Sequence, residues 1–264
     1  MNIGLIAAMP EECAPLLRRV RPYRKAGIGR FPGWRFTVGC HEIRLIRSGM
    51  GISHAAEATA ALIAAHRPAL LVSFGFGGAV KQGLATGDVV LATRLFRCEA
   101  GNLTHLDDPD RELTDQAREA LANHGASLTF QLRRGEFITT DRIENKRELS
   151  ALLDPDMENP LLEMETAAVA QVAAAAQIPL IAVRAVSDSA AEELDFTIAE
   201  FTDGTMNISI PRVLMTLARK PRILPQLLRL SRNSRMAGEN LAAGIVSMLG
   251  ALRLPSSLLT PTRG

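Results

Sequence analysis

The sequence has few cysteines and no arrangement that would use them. Cys13, Cys40 and Cys98 are single and scattered, with no CxxC pair and no Cys/His spacing suited to zinc. This pattern argues against a disulfide framework and against a bound metal. The first residues also lack the basic and apolar regions of a signal peptide, and no apolar run is long enough to span a bilayer. We therefore expect a cytoplasmic protein that uses no metal.

The chain also has little net charge and no complete cofactor-binding motif. The formal net charge is only +2, which gives no reason to expect a nucleic-acid partner. No GxGxxG motif is followed by an acid at the dinucleotide-binding distance, and no GK[ST] motif is present. With 264 residues, of which 47% are hydrophobic, the chain is long enough to bury one large core as a single domain.

Apolar runs alternate with helical patterns along the chain. The strands are predicted at 2–8, 33–47 (a two-stranded ribbon), 69–75, 87–95, 129–138 and 179–186, and the helices at 10–19, 52–66, 112–124 and 165–177. Residues 98–112 are predicted to form a loop. This alternation is typical of an α/β fold: a single domain with a central mixed, largely parallel β-sheet flanked by helices on both faces.

Polar side chains follow two of these apolar runs. The run Glu-Met-Glu-Thr-Ala-Ala-Val occupies residues 163–169, and Arg-Ala-Val-Ser-Asp occupies residues 184–188. At the carboxyl edge of a sheet, where α/β proteins bind ligands, Glu165 could accept hydrogen bonds from two sugar hydroxyls while Met164 lies against the sugar ring. Asp188 is a candidate proton donor. Such acids are often only helix caps or solvated turns, but three acids and an arginine at two strand ends favour a functional site.

Several stretches resemble one family, the family-1 nucleoside phosphorylases and nucleosidases. Besides 163–169 and 184–188, they are Ile-Gly-Leu-Ile-Ala-Ala-Met-Pro-Glu-Glu at 3–12, Ser-Gly-Met-Gly at 48–51, Gly-Phe-Gly-Gly at 75–78 and Gly-Asp-Val-Val at 87–90. The glycines alone would be weak evidence, because turns also require them. The similarity covers about residues 2–202 and is strongest to the methylthioadenosine/S-adenosylhomocysteine nucleosidases. It implies a nucleoside-phosphorylase-like fold, a small-molecule nucleoside substrate, no cofactor and a homodimer.

The resemblance also implies roles for individual residues. Three residues match catalytic positions: Glu12 the general base that activates water, Arg184 the residue near that base and water, and Asp188 the acid that protonates the purine. Glu165 matches the carboxylate that binds the ribose, and Met164 its neighbour against the sugar. The other residues expected to contact the substrate are Glu163, Ser187, Met9, Met50, Phe76, Gly77, Gly78, Ile143 and Phe196, the last of these in the 5′-substituent pocket.

The loop after the first strand favours water over phosphate as the attacking group. Phosphorylases of the family bind phosphate with an arginine in this loop and with an arginine and a serine around the central glycine motif. Here the loop reads Met-Pro-Glu-Glu at residues 9–12, which would repel phosphate, and Ser73 and Phe76 stand at the two other positions. The segment Arg-Ile-Glu at 142–144 departs from the aromatic segment that frames the base in nucleosidases.

A basic segment at residues 204–238 departs most from the family. It holds seven basic residues and no acid, interleaved with leucines, and its prolines divide it into short predicted helices. We interpret it as a basic helical insertion whose leucines either pack against the core or a second subunit, or make peripheral contact with a membrane.

Three functions remain open on the sequence. The first is hydrolysis of a 5′-substituted adenosine. The second is cleavage, including phosphorolysis, of a lipid-linked nucleoside such as adenosylhopane. The third is nucleoside binding without catalysis.

Overall fold

A ten-stranded mixed sheet carries the helices of this protein. The computed structural model describes residues 1–123, 130–141, 146–190, 216 and 220–253. The strands are β1 (Asn2–Ala7), β2 (Arg24–Lys25), β3 (Gly33–Val38), β4 (His41–Arg47), β5 (Leu70–Ala79), β6 (Val89–Glu99), β7 (Asn102–His105), β8 (Leu132–Thr140), β9 (Leu161–Glu163) and β10 (Leu180–Asp188). The helices are α1 (Pro10–Arg19), α2 (Ile52–His66), α3 (Arg111–Asn123), α4 (Lys146–Leu152), α5 (Thr166–Ala175) and α6 (Leu224–Ala251).

The sheet follows the order β10-β6-β8-β9-β5-β1-β4-β3-β2, with β7 paired to β6. Because β10 pairs with β5 as well as with β6, five strands (β5, β10, β6, β8 and β9) close into a ring. Register shifts at Ala92/Arg94 in β6 and Val186/Asp188 in β10 accompany this curvature, as is usual for bulges in barrels. The prediction of a mixed sheet is therefore correct, but the picture of one open sheet with two covered faces holds only in part.

The helices form two groups that bury two apolar clusters. Helices α1, α3 and α6 pack together around a core that includes Leu16, Leu121 and Ile245. Helices α2 and α5 pack against each other over the second cluster, which includes Leu62 and Val169. Helix α5 is rich in alanine, which allows its backbone to approach the sheet and α2 closely.

The predicted loop at 98–112 contains one strand that the sequence pattern did not indicate. Strand β7 pairs antiparallel with the end of β6, from Phe96 opposite His105 to Glu99 opposite Asn102. The two turn residues, Ala100 and Gly101, have φ values of 50° and 81°, which is the backbone geometry of a tight hairpin. Its side chains are mostly polar and exposed, so they lack the alternation that marks a strand.

Helix α6 joins an exposed half to a buried half. A short 3-10 turn, Pro221–Ile223, precedes it, and Pro225 lies in its first turn, where a missing N–H costs nothing. Its second half, which includes Leu241 and Met248, is buried in the core, whereas Leu224 and Leu228 are exposed. Residues 224–238 of the 204–238 segment thus belong to a helix that runs on to residue 251, and residues 204–215 and 217–219 lie outside the described residues. In the described ranges, no helix has the length and apolarity needed to cross a bilayer.

Four strands of the sheet run in the same direction: β1 pairs parallel with β4 and with β5, and β5 pairs parallel with β10. Their carboxyl ends therefore lie at one edge of the sheet, as expected for a ligand site in an α/β fold. Glu12 follows β1 and Asp188 ends β10, so the topology brings both to this edge. Strand β9 instead runs antiparallel to β5, against the expectation of two parallel strand ends, and Glu163 reaches the edge because β9 pairs with Gly78 and Ala79 at the end of β5.

Candidate active site

Glu12 is a buried carboxylate enclosed by backbone amides. It lies in the first turn of α1 and is only 3% exposed. Its Oε2 accepts hydrogen bonds from the amides of Ala8 and Met9, and its Oε1 from the amide of Phe76, all at 2.8 Å. Burial raises the pKa of Glu12, and the Met9 amide and the charge of Arg184 only partly oppose the rise. A carboxylate with an elevated pKa and spare lone pairs can accept a proton from water.

The position of Glu12 depends on a glycine in β5. A Cβ atom at Gly75 would lie 2.4 Å from Glu12 Oε1, closer than real Cβ atoms approach other groups. The glycine therefore creates the space that the carboxylate occupies. This explains one residue of the Gly-Phe-Gly-Gly motif by close packing rather than by a turn.

Arg184 and Glu163 form an ion pair that is closed to solvent. Arg184 Nη2 lies 2.7 Å from Glu163 Oε2, and the two side chains are 2% and 0% exposed. The same Nη2 also donates to the hydroxyls of Ser73 and Thr166. Burial alone would raise the pKa of Glu163, but Arg184 and the hydroxyls of Thr139 and Thr166 outweigh it, so the pKa lies below its usual value.

The oxygens of Glu163 are already occupied. Oε1 accepts from the Thr139 hydroxyl, and Oε2 accepts from Arg184, from the Thr166 hydroxyl and from the amides of Glu165 and Thr166. The sequence assigned Glu163 to substrate contact. In the structure this carboxylate is instead committed to Arg184 and to the start of α5, because β9 ends at Glu163 and its side chain turns inward.

Glu165 is the acid of this segment that remains partly accessible. It precedes α5 and is half-buried, and its Oε1 accepts a 2.8 Å hydrogen bond from the amide of Gly51. Burial, with the negative charges of Glu163 and Glu12, raises the pKa of Glu165 to about 8. Gly51 has φ of 94°, so this contact needs a residue that tolerates left-handed backbone.

Asp188 ends β10 and is held by two donors. Its Oδ1 accepts a 2.6 Å hydrogen bond from the hydroxyl of Ser187, and its Oδ2 accepts one from the ammonium group of Lys146. A Cβ atom at Gly78 would lie 2.6 Å from Oδ2, so this glycine also makes room for a carboxylate. Ser187 and Gly78 were predicted site residues, and the structure places both against Asp188.

Glu12 and Asp188 pack against two different glycines of β5. Glu12 sits against Gly75 and Asp188 against Gly78, three residues farther on. The same strand therefore positions both carboxylates, one through each glycine.

The remaining predicted residues have mixed surroundings. Met9, Met50 and Met164 are half-buried in the turns that follow β1, β4 and β9. Phe76 is only 9% exposed. Its ring packs toward α6, where the Cζ atom would lie 3.5 Å from a Cβ atom at Gly238. Its backbone amide donates the hydrogen bond to Glu12.

Three further predicted residues complete the set. A Cβ atom at Gly77 would lie 2.1 Å from a Leu161 methyl carbon, so this glycine allows β9 to pack on β5. Ile143 and Phe196 lie outside the described residues.

Lys146 and Thr139 are parts of the site that the sequence did not indicate. Lys146 begins the short helix α4 and has no recognisable motif around it. Thr139 lies on β8 and reaches Glu163 only because β8 pairs with β9. Within the described ranges, no group of three or more His, Cys, Asp or Glu side chains is arranged to hold a metal ion.

Comparison with known sequences identifies the family of this chain. The sequence model of the phosphorylase superfamily matches residues 2–218, which ends before α6 begins. A 5′-methylthioadenosine/S-adenosylhomocysteine nucleosidase of Bacillus cereus (strain B4264) is 31% identical over 218 residues, covering 77% of this chain and 92% of the relative.

Solved structures of similar proteins extend the comparison to the fold. The S-adenosylhomocysteine nucleosidase of Streptococcus pyogenes, in complex with 5-methylthiotubericidin, superposes with a TM-score of 0.73 at 23% identity, covering 96% of this chain and 98% of that one. The MTA/SAH nucleosidase of Streptococcus pneumoniae, in complex with 8-aminoadenine, gives 0.71 at 25% identity, covering 96% and 100%. The α/β fold is thus that of the nucleosidases.

Proposed function

Because this chain belongs to the phosphorylase superfamily, we propose that it hydrolyses the N-glycosidic bond of a 5′-substituted adenosine and releases the purine base. Its relatives are named for 5′-methylthioadenosine and S-adenosylhomocysteine, which sets the substrate class. The observation that carries the proposal is the pair of carboxylates that β5 positions: Glu12, held by three backbone amides against Gly75, and Asp188, held against Gly78.

Glu12 is the proposed general base. Its carboxylate is held by three amides, so it is fixed in position before water arrives. Water adds to the anomeric carbon of the sugar as the bond to the base breaks, and Glu12 takes the proton that the water loses. Because burial raises the pKa of Glu12, its affinity for that proton is greater than that of an exposed glutamate.

Glu165 and Met164 are proposed to hold the ribose. Glu165 is half-buried, and its Oε1 is anchored to the Gly51 amide, so lone pairs remain for sugar hydroxyls. Met164 offers an apolar surface to the sugar, and Met9 and Met50 lie in the neighbouring turns. The partial positive charge that develops on the sugar is stabilised by these carboxylates.

Asp188 is the proposed acid for the leaving base, and Ser187 positions it through the 2.6 Å hydrogen bond to Oδ1. Arg184 and Glu163 are best regarded as supports. Their ion pair fixes the ends of β9 and β10 and places a positive charge near Glu12 without exposing it to substrate.

Two features support water over phosphate as the nucleophile. The turn after β1 contributes Glu11 and Glu12, which are anionic, and the Arg184 Nη2 already donates to Glu163, Ser73 and Thr166. A phosphate dianion at this place would meet a carboxylate and find the Nη2 group of Arg184 engaged.

The decisive experiment incubates the protein with a panel of nucleosides, with and without phosphate, and identifies the released bases by chromatography. We expect adenine from 5′-methylthioadenosine at a rate that phosphate does not change. Strict dependence on phosphate would establish phosphorolysis instead, and substrate binding without base release would establish a non-catalytic binder.

Two variants test the assigned roles. Glu12→Gln should still bind substrate but lose hydrolysis, and Asp188→Asn should lose about 10²-fold or more in rate while the fold survives. A rate near that of the wild type in Glu12→Gln would remove it as the base, and the same result in Asp188→Asn would remove Asp188 as the acid.

We also propose that the protein works in the cytoplasm as a homodimer. Cys13, Cys40 and Cys98, all within the described residues, form no disulfide, which fits a reducing compartment. The dimer rests on the family resemblance. Sedimentation equilibrium of the purified protein tests it, and a monomer at micromolar concentration would contradict it.

We propose that the basic insertion at 204–238 makes peripheral contact with a membrane through the first half of α6. Leu224, Leu228, Arg232 and Arg235 follow helical spacing on one face, and all of them are exposed. Each basic residue near an anionic surface contributes about 1 kcal/mol. Flotation with anionic vesicles at low salt tests the contact, with neutral vesicles and the Arg232→Ser/Arg235→Ser variant as controls. Failure of the unmodified protein to bind anionic vesicles would refute it.

A further inference from the structure

Lys146 places a nearly buried ammonium group against the proposed acid. Its Nζ donates to Asp188 Oδ2 and, at 2.8 Å, to the carbonyl oxygen of Ser189. The side chains of Lys146 and Asp188 are only 9% and 14% exposed. Removing an ammonium group from water is costly, so a lysine in this position needs a compensating interaction. Asp188 provides it.

The local packing leaves this pair little freedom. Gly78 lies beneath both groups, since a Cβ atom there would be 2.6 Å from Asp188 Oδ2 and 3.2 Å from Lys146 Nζ. Ser187 donates to the other oxygen of Asp188. Both oxygens of Asp188 are therefore engaged, Oδ2 by the ammonium group and Oδ1 by the Ser187 hydroxyl.

This arrangement raises a question about the source of the proton. A leaving purine needs a proton, and in the proposed reaction Asp188 delivers it. Each proton that Asp188 delivers must be replaced before the next turnover. Among the described residues, the ammonium group on Oδ2 is a donor in direct contact with Asp188 that carries a transferable proton.

We infer that Lys146 supplies the proton that Asp188 passes to the leaving base, so that the acid of this site is a lysine–aspartate pair. The inference rests on the proposed hydrolysis. The proton moves from Lys146 Nζ to Asp188 and from Asp188 to a ring nitrogen of the base, while the electron pair of the glycosidic bond goes to the base. Water bonds to the anomeric carbon and gives its proton to Glu12. Lys146 acts through Asp188 and is thus a positioning and proton-supplying residue.

A surface cleft gives Lys146 a path for recovering its proton. The cleft has a volume of about 490 Å³ and is lined by Lys146 together with Lys81, Arg147 and Ser150. The neutral amine left after one turnover can therefore be reprotonated from solvent through this opening. The base and the sugar need not leave first.

Two substrates separate proton supply from structural support. 5′-Methylthioadenosine has a leaving group that needs a proton, whereas 5-methylthioribose joined to p-nitrophenol has one that departs as a stable anion. If Lys146 supplies the proton, Lys146→Met should lower adenine release by about 10²-fold or more and change p-nitrophenolate release by less than about threefold. A similar loss on both substrates would mean that Lys146 only maintains the fold of the site, and would overturn the inference.

Lys146→Arg gives the second test. Arginine keeps the positive charge and the hydrogen-bond donors, but its guanidinium group does not give up a proton in proteins. We expect this variant to be as slow as Lys146→Met in adenine release. Recovery of adenine release to near the wild-type rate would show that the charge alone is needed, and the proton would then come from elsewhere.

A matched control and the wild type complete the design. Lys81 lines the same cleft but donates to the carbonyl oxygens of Asp154 and Pro155, so Lys81→Met should leave both reactions unchanged. Wild-type protein that releases neither adenine nor p-nitrophenolate would refute the hydrolysis itself. Wild-type activity with unaffected Lys146 variants would refute only the proton supply.

Discussion

Removing the charge of Glu163 should destabilise the protein strongly, although Glu163 is not expected to touch substrate. Glu163→Gln keeps the size of the side chain and one carbonyl oxygen, and it leaves Arg184 as a buried cation without its partner at 2.7 Å. Breaking a buried pair in this way costs about 3–5 kcal/mol. Glu12 and Glu165 also feel the charge of Arg184, so they offset part of the loss and we expect about 3 kcal/mol.

Thermal and urea unfolding followed by circular dichroism measure this loss. At about 2–4 °C per kcal/mol for a protein of this size, the expected fall in Tm is about 6–12 °C. The matched control is Glu239→Gln, whose partners Arg18 and Arg19 lie in an exposed pair and whose loss should cost no more than about 1 kcal/mol. Equal losses in the two variants would refute the reasoning.

The difference in stability between the wild type and Glu163→Gln should change with pH in a definite direction. The pKa of Glu163 is lowered from its ordinary value of 4.5 by folding, so its contribution to stability is present above pH 4.5 and is lost as the pH falls through the folded-state value. The stability gap between the wild type and Glu163→Gln should therefore narrow in acid. A gap that widens below pH 4.5 would contradict the ion-pair explanation.

Three further predictions concern the catalytic edge. Gly75→Ala should abolish base release, because its Cβ would lie 2.4 Å from Glu12 Oε1. Gly250→Ala in α6 is the control and should leave the rate unchanged, because its Cβ would have nothing within 4 Å. Equal rates in the two variants would refute the claim that Gly75 makes room for Glu12. Glu12 must be ionised to act as the base, and burial raises its pKa above the ordinary value of 4.5. On acidification, kcat should therefore begin to fall at a pH above 4.5. A kcat that stays constant down to about pH 4 would exclude Glu12 as the general base. Glu165→Gln should raise KM and lower kcat for a nucleoside, and an unchanged KM would argue against a contact with the sugar hydroxyls.

The sequence predicted most of the elements because they have regular local patterns. Helix α2 was predicted at 52–66 and runs from Ile52 to His66, and the predicted strand at 179–186 is β10, Leu180–Asp188. The closed ring was not predicted. It depends on β10 pairing with both β5 and β6, a long-range choice that an apolar run does not encode.

The site shows the same division between local and long-range information. Asp188 at the end of β10 could be found because the carboxyl ends of parallel strands lie at one edge of a sheet. Glu163 reaches the same region through the antiparallel pairing of β9 with β5, which the sequence did not indicate. The sequence could not separate Glu163 from Glu165, since the two stand two residues apart and a continued strand would place them on one face. The strand ends at Glu163, however, so Glu163 turns toward Arg184 and Glu165 begins the next helix. Lys146 had no local signal at all.

Three carboxylates, Glu12, Glu163 and Glu165, lie around the single guanidinium of Arg184. If all three were ionised, this group would carry two negative charges in excess, and burial makes that excess costly. The raised pKa of Glu165, caused by burial and by the charges of Glu163 and Glu12, expresses that cost. A sugar that becomes positively charged as the base departs would supply the missing cation, whereas the neutral ground state would not. The charge distribution therefore favours the transition state over the bound substrate, and it opposes a phosphate dianion for the same reason.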